Sequence, residues 1–522
     1  MKVGTSSACS VPLNPIHHKT QLRETMQSRE SFMIEAPEMI DSPRGGDEDD
    51  DLWPVLRCRI FAAISSMNSA NIGYDLGVNT GLSVSFTRQT GGVVFMDTMQ
   101  LEVYMASLTF ASIFGGLAMK FISDPYGRRG VFLASQAFLL GGLAINIATN
   151  EYALILIGRL IAGFAVGLSF SVDSVYISEI APKKHRGQLV SWAETGINIG
   201  INLGFIMSFA FQNTPGNTQW RIMIGLGMIM PFAMFVLVLF VLPESPRWLL
   251  LAGRFDEAAS VLDMCSHPHQ DGRQLAVDMQ RDIDEEVAAS KGVTFWSLWT
   301  VPANRLKMRA GVGVALCGAF SGIDGIQYYL LAILGGAGMA QREQFQALLV
   351  VGLVKLLVVS LGGYIFDKWG RRPGLMMSLC GISAGLFIMA ATHNNRAGLP
   401  GDDVVIVAFV AVIVYVSSFS MGVGPGAWLL PTEIYSNDIR TNAISFTVVV
   451  SRIFATITAL TFLSMIQAMG YGGFIMFGLI NICSCLFVYL FVPETKGATL
   501  EDIHELFEKQ SPEKNAAGRR IT

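Results

Sequence analysis

Four polar residues in an otherwise apolar stretch, Asn68, Asn71, Asp75 and Asn79, follow one another at steps of three, four and four. On a helix that spacing puts them on one stripe. Glu194, Asn198 and Asn202 repeat the pattern at steps of four, and Asp324 shares a helical face with Gln327, beside Tyr328 and Tyr329. Carboxylates and amides arranged this way suit vicinal hydroxyls: an ionised carboxylate accepts two at once, and an amide both donates and accepts. No nucleophile–base pair, Gly-rich phosphate loop or metal-ligand cluster accompanies them. The chain therefore reads as no enzyme, with no catalytic residue, metal or cofactor.

These stripes lie in runs suited to a bilayer. A spanning helix needs about 20 mostly apolar residues. Such runs fall at 57–83, 101–122, 130–149, 152–176, 188–211, 221–242, 307–335, 344–365, 374–392, 404–429, 442–466 and 472–492. A charge at mid-membrane costs roughly 2.5–3.5 kcal/mol even on a mild insertion scale. The stripes must therefore face a wet cavity or one another. We expect them to line a cavity, the alternative being hydrogen-bonded glue inside a packed bundle.

Composition agrees. Of 522 residues, 51% are hydrophobic and only 15% charged, with a mean hydropathy of +0.46, against about 25% charged in soluble domains. Net charge is −4, so no basic field calls for nucleic acid. The seven cysteines show no paired spacing and read as small apolar fillers. No apolar segment near Met1 resembles a cleavable signal, and residues 1–56, ending in the acidic run Asp47–Asp51, read as a disordered cytosolic tail. The polar stretch 244–304 carries amphipathic patterns such as RFDEAASVLDM (254–264) and reads as a helical linker between bundles at 57–243 and 305–493, with a tail at 494–522. Lys120, Arg128, Arg129, Lys183, Lys184, Arg186, Lys368, Arg371, Arg372 and Arg440 fall in the even-to-odd loops, whereas the alternate loops hold only Arg88, Arg342 and Arg396. The positive-inside rule then places the first set, and both termini, in the cytosol.

The chain also repeats itself. DPYGRR (124–129) recurs as DKWGRR (367–372), Glu179 and Arg186 recur as Glu433 and Arg440, and Pro243-Glu244 recurs as Pro493-Glu494. A duplicated six-helix half is expected, giving an all-α membrane protein of twelve spans in two pseudo-symmetric bundles around a midplane site. Asp124, Arg128, Arg129, Glu179 and Arg186, mirrored by Asp367, Arg371, Arg372, Glu433 and Arg440, read as charge networks that hold the cytosolic face shut when made.

Nine strings in one order, GYDLGVNTG (73–81), DPYGRR, GRLIAG (158–163), SEIAPKKHRG (178–187), PESPRW (243–248), GIDGIQYY (322–329), DKWGRR, GPGAW (424–428) and PETKG (493–497), resemble the sugar porter family of the major facilitator superfamily. The resemblance implies a transporter working by alternating access. Helix eleven (450–465) looks more like the polyol branch. By the same resemblance Asp75 is a proton carrier with Arg159 as its partner, the alternative being a permanent salt bridge. Glu194, Asn198, Asp324, Gln327, Tyr328, Trp428 and Arg452 become the substrate residues. Trp428 would stack its ring on the substrate's apolar face. Arg452 reads either as a partner of Asp324 or substrate, or as a snorkelling group, and Lys355 stays unassigned. The sequence departs from the family at Gly318 and Ala319, where two glutamines are usual, and at Glu194, where hexose porters usually have Gln. The expected function is proton-coupled symport of a monosaccharide or sugar alcohol by a monomer in the plasma membrane. A facilitative uniporter or a nutrient sensor of the same fold are the alternatives.

Overall fold

The computed structural model describes residues 52–87, 95–181, 186–214, 218–265, 270–289, 295–393, 401–436, 439–496 and 507, all within the compact unit Asp51–Thr522. The expected N-terminal tail, most of the C-terminal one, and the side chains of Arg186 and Asp367 lie outside these residues. Among the described residues every regular element is a helix. In chain order they are α1 Leu52–Phe86, α2 Thr98–Ala148, α3 Tyr152–Ile180, α4 Arg186–Phe211, α5 Thr218–Leu226, α6 Ile229–Phe240, α7 Pro246–Leu251, α8 Phe255–Cys265, α9 Gly272–Ala289, α10 Ser297–Thr300, α11 Pro302–Phe320, α12 Ile323–Tyr328, α13 Leu330–Gly336, α14 Gln341–Trp369, α15 Arg371–Thr392, α16 Gly401–Met421, α17 Val423–Ile434, α18 Arg440–Met469 and α19 Tyr471–Phe491.

All twelve expected runs lie on these helices. Nine described helical stretches are long and apolar enough to cross a membrane. One of them, Thr98–Ala148, holds two expected runs joined across a non-helical residue, Gly127. The two runs not among the nine lie on α1 and α4, which carry the amide and carboxylate stripes. Their polar residues lower the mean apolarity of otherwise spanning helices.

The local signals are readable. Asp97 caps α2 by accepting the Gln100 amide at 2.7 Å, and Gln100 Oε1 accepts the Asp97 amide at 3.2 Å, a reciprocal capping box. Ser245 caps α7, with Pro246 at its first position. Residues 244–304 carry the short helices α7 to α10. Ala258, Val261 and Leu262 of α8 are buried in one cluster with Cys58, Leu249 and Tyr176, while Phe255 is exposed. Each fully buried Val or Leu there stabilises the docking by about 1.5–3 kcal/mol.

Helix pairs α1/α4 and α2/α3 pack together, and the chain's two parts meet where α2 packs on α18, α4 on α14, and α1 on α12 and α13. Backbones of α1 and α4 touch: a Cβ on Gly73 would stand 1.9 Å from the Ile197 carbonyl oxygen, and one on Gly200 would stand 2.0 Å from that of Ala70. Only glycine allows this approach, and it sets the two polar stripes side by side.

The repeat is realised in three dimensions at the arginine-rich end. Gly127 (φ +76°) and Gly370 (φ +98°) break the chain before Arg128 and Arg371. Glu244 accepts the backbone N–H groups of Arg128 (2.9 Å), Arg129 and Ser245 (2.8 Å). Glu494 accepts those of Arg371 (2.8 Å) and Arg372 (3.0 Å). A carboxylate thus sits at each helix start, where unpaired N–H groups and the helix dipole favour an anion. Burial pushes the Glu244 carboxyl up from its ordinary range, opposed by the amides of Ser245, Arg129 and Arg128.

Candidate substrate and coupling site

The charged motifs do their work within each half. Arg128 grips Glu179 through two bonds, at 2.8 and 2.7 Å, and Ser245 Oγ donates to the same carboxylate at 2.6 Å. In the mirror position Arg371 lies 3.2 Å from Glu433, which also accepts from Thr495 Oγ1 at 2.6 Å. Arg129 donates to the carbonyls of Val238 and Leu239, and Arg372 to that of Tyr489, so each caps a helix C-terminus. Arg440 Nε donates to the Tyr435 carbonyl at 3.2 Å, and Asp124 is exposed, with its carbonyl accepting Trp248 Nε1. We expect these networks to hold the cytosolic face shut when made. The described pairs Arg128–Glu179 and Arg371–Glu433 each fasten helices of one half to each other, because each arginine follows a kink that aims it at its own half's glutamate.

In mid-membrane the α1 stripe divides. Asp75 Oδ1 lies 2.5 Å from Arg159 Nη1. Arg159 is only 1% exposed and sits over the Tyr104 ring at 4.7 Å. Tyr104 donates to Asn79 Oδ1 at 2.9 Å, and Asn79 Nδ2 donates to the Asp75 carbonyl at 2.7 Å. Asn68 and Asn71 serve differently. Asn68 is wholly buried; its Nδ2 donates to Asp173 Oδ1 at 2.6 Å and its Oδ1 accepts from Gln136 (2.6 Å) and Ser169 (2.9 Å). Asn71 donates to Gln136 at 3.1 Å. For these two, cavity lining gives way to interhelical bonding, since their amides are taken by α2 and α3.

The second half contributes a broken helix. α11 ends at Phe320, Gly322 turns through φ +86°, and the short α12 carries Asp324, Gln327 and Tyr328. A Cβ on Gly318 would stand 3.3 Å from Ala427, so α17 leaves little room for a long side chain there. Lys355 of α14 donates to Gln327 Oε1 at 3.0 Å. Glu194, Asp324, Lys355 and Arg452 act on one another electrostatically. Among the described residues, however, no nitrogen–oxygen approach within 4 Å pairs any two of them. Glu194, Asp324 and Arg452 remain half-buried rather than buried. Two acids and two bases thus balance each other across a gap that hydroxyl groups can bridge.

Several polar atoms around this gap are buried without a partner in the protein: Asp75 Oδ2, Arg159 Nε and Nη2, Asn198 Oδ1, Gln327 Nε2 and the Tyr328 hydroxyl. Each leaves a desolvation cost of roughly 1–3 kcal/mol for a hydroxylated guest or water to relieve. Trp428 faces Phe170 of α3 at 5.1 Å, and the Arg452 guanidinium lies 4.5 Å from the Phe170 ring and 5.2 Å from that of Trp428. These rings close the gap toward the arginine-rich end. At the opposite end Glu102 (3% exposed) accepts both the backbone N–H (2.7 Å) and the hydroxyl (2.5 Å) of Ser464, tying α2 to α18. Thr80 donates to the Gln327 carbonyl at 3.0 Å and Asn202 to that of Gly352 at 3.0 Å. Two surface cavities, of about 650 Å³ beside Arg129 and Trp248 and about 430 Å³ beside Asp97 and Gln467, lie away from this cluster. We place the site at the cluster because the unpartnered polar atoms are there.

Residues 60–507 match the family model described as "Sugar (and other) transporter". The chain belongs to that family. This sugar transporter is 33% identical over 475 residues to "Putative polyol transporter 2" of Arabidopsis thaliana, covering 87% of this chain and 91% of the relative. It is 33% identical over 470 residues to "Polyol transporter 5" of the same plant, covering 85% of each. Its fold is that of the major facilitator proton:xylose symporter XylE bound to 6-bromo-6-deoxy-D-glucose, with a TM-score of 0.72 at 24% identity over 88% of this chain and all of that one. Sequence reasoning missed Asp173, Gln136, Glu102 and Phe170, and left Lys355 unassigned. A lone acid in an apolar run was the available signal for Asp173 and Glu102; Phe170 offered none, since one more aromatic in a membrane helix carries no message.

Proposed function

We propose that this transporter couples the inward movement of a monosaccharide or sugar alcohol to a proton carried by Asp75. The halves 57–243 and 305–493, joined by the linker 244–304, rock about the central gap in a monomer. Its membrane is the plasma membrane, and both termini are cytosolic. One observation carries the reading: the segment bearing Asp324 and Gln327 rests on the helix bearing Asp75. Thr80 of α1 donates to the Gln327 carbonyl, and Tyr328 faces the Asp75–Arg159 pair. A guest drawn onto Glu194, Asn198, Asp324, Gln327, Lys355, Trp428 and Arg452 therefore pulls α12 against α1. Water leaves Asp75, and a proton neutralises it. Opening toward the arginine-rich end lets water and Arg159 restore the carboxylate. The polyol transporters it resembles support the substrate class, and XylE, titled a proton:xylose symporter, supports the coupling.

The driving force suffices. About 100 mV contributes roughly 2.3 kcal/mol per charge and one pH unit about 1.36 kcal/mol, together sustaining roughly a 500-fold gradient at one proton per substrate. The test is Asp75→Asn, which mimics the protonated acid. Uphill accumulation and its pH dependence should vanish while counterflow exchange continues. Accumulation by the mutant that still collapses with protonophore would move the coupling acid elsewhere. A wild-type protein indifferent to protonophore would make this a facilitator.

A further inference from the structure

Asp173 is a buried carboxyl that the cycle above leaves unused. It lies on α3, 2% exposed, and accepts from Asn68 Nδ2 at 2.6 Å and from the Ser69 hydroxyl. Among the described residues no guanidinium or ammonium group lies against it. The value of such a group is directional. An ionised carboxylate only accepts, so it fixes which end of the Asn68 amide faces it. With Nδ2 spent there, Asn68 Oδ1 must face Gln136, whose Nε2 donates to it at 2.6 Å. Gln136 Oε1 then faces Asn71, which donates Nδ2 at 3.1 Å. The last member is left with Oδ1 unspent. That atom is buried and has no partner in the protein.

One turn along α1 stands Asp75, whose Oδ2 is likewise buried and unpartnered. Side chains on a helix lean back over the preceding turn, so the residue at i+4 reaches toward residue i. With Asn71 and Asp75 one turn apart on the same face, two such acceptors would repel while Asp75 is ionised and would share one hydrogen bond when a proton sits on Oδ2. The charged and titratable groups facing Asp75 are Arg159 from α3, Tyr104 from α2 and Tyr328 from α12, with Tyr74 beside it on α1.

We propose that Asp173 is a positioning residue for proton coupling: through Asn68, Gln136 and Asn71 it aims an amide oxygen at Asp75 and so favours the protonated carrier. The inference rests on Asp75 being that carrier. It makes the acceptor-only character of the residue 173 carboxylate the essential feature.

The test measures the pH at which uptake is half-maximal, with counterflow affinity alongside. Asp173→Ala releases the chain and should move the midpoint to more acidic pH by roughly half to one unit, the worth of one hydrogen bond. Asp173→Asn offers Asn68 a donor as well as an acceptor, so the direction is no longer fixed and the midpoint should fall between those of the wild type and Asp173→Ala. Asn71→Ala should shift it as Asp173→Ala does, and the two together should shift it no further. Counterflow affinity at acidic pH should hold within twofold in all. If Asp173→Ala misfolds, Asn71→Ala and Gln136→Leu carry the same expectation. The carboxyl stretch in infrared difference spectra that disappears in Asp75→Asn should then move in both. An unmoved midpoint in the alanine variants, a larger shift in Asp173→Asn than in Asp173→Ala, or additive shifts would overturn the chain. Wild-type uptake that ignores both pH and protonophore would overturn proton coupling itself, and the chain's role with it.

Discussion

The arginine-rich end and the mid-membrane interior of this transporter obey different rules. At the end, the halves are near copies. Ser245 and Thr495 donate to Glu179 and Glu433, and Glu244 and Glu494 cap the turns after Gly127 and Gly370. In the interior the copies diverge. The first half holds an ion pair and an amide chain, the second a broken helix beside Lys355 and Arg452. Symmetry survives where both halves need the same rigid body, and is lost where one site must be built from unlike groups. The comparison can be broken at three levels.

The largest effect should follow from the kinks. A Cβ on Gly127 would meet Glu244 Oε2 at 2.2 Å, while one on Gly370 would stand 2.8 Å from Glu494 Oε2, both at positive φ. Gly127→Ala should cost upwards of about 2 kcal/mol from backbone strain and lost capping, and Gly370→Ala somewhat less. Melting in detergent, followed by tryptophan fluorescence, reads this directly; equal losses would mean the tighter contact relaxes freely.

A middle-sized effect should separate the two rings of the interior closure. Trp428→Ala should lower substrate affinity about tenfold, through lost stacking and admitted water. Phe170→Ala should leave affinity within about twofold, since it removes only the cross-half contact. Both should increase labelling of cysteines introduced at the arginine-rich end. A tryptophan variant with unchanged affinity would confine that ring to closure.

The smallest effects should be the most alike. Ser245→Ala and Thr495→Ala each remove one hydrogen bond to a carboxylate and should each cost about 1–2 kcal/mol, with Ser245→Ala the larger because it also loses the 3.3 Å bond from the Trp248 amide that caps α7. A difference greater than about 1 kcal/mol between them would show that the symmetry seen in geometry is absent in energy.

The sequence displayed the frame well because spans and charged motifs are local signals. A run of apolar residues has one reading in a bilayer, and DPYGRR needs no partner to be noticed. The interior was harder. Asn68, Asn71, Asp75 and Asn79 do share one arc of α1, yet Asp75 lies roughly 10 Å further along the axis than Asn68 at 1.5 Å per residue. That depth decides which neighbours each meets, and spacing within one helix is silent about it. The same holds for Lys355, whose partner Gln327 is set by how α14 turns against α12. Trp428 was visible as a residue, but its pairing with Phe170 belongs to the meeting of two halves.

The two closures of the central gap differ in kind, and the difference is mechanical. Glu102 holds Ser464 by directed hydrogen bonds, which weaken steeply with misalignment. Arg452 lies over the Phe170 and Trp428 rings, which meet at a tilt of 54°, and such ring contacts are less directional than a hydrogen bond. The closure at Glu102 therefore behaves as a latch that is either made or released. The one at Trp428 behaves as a bearing, giving way by degrees and returning without having to find a register. Such a molecule should hesitate before it opens at the Glu102 end and yield smoothly at the arginine-rich end.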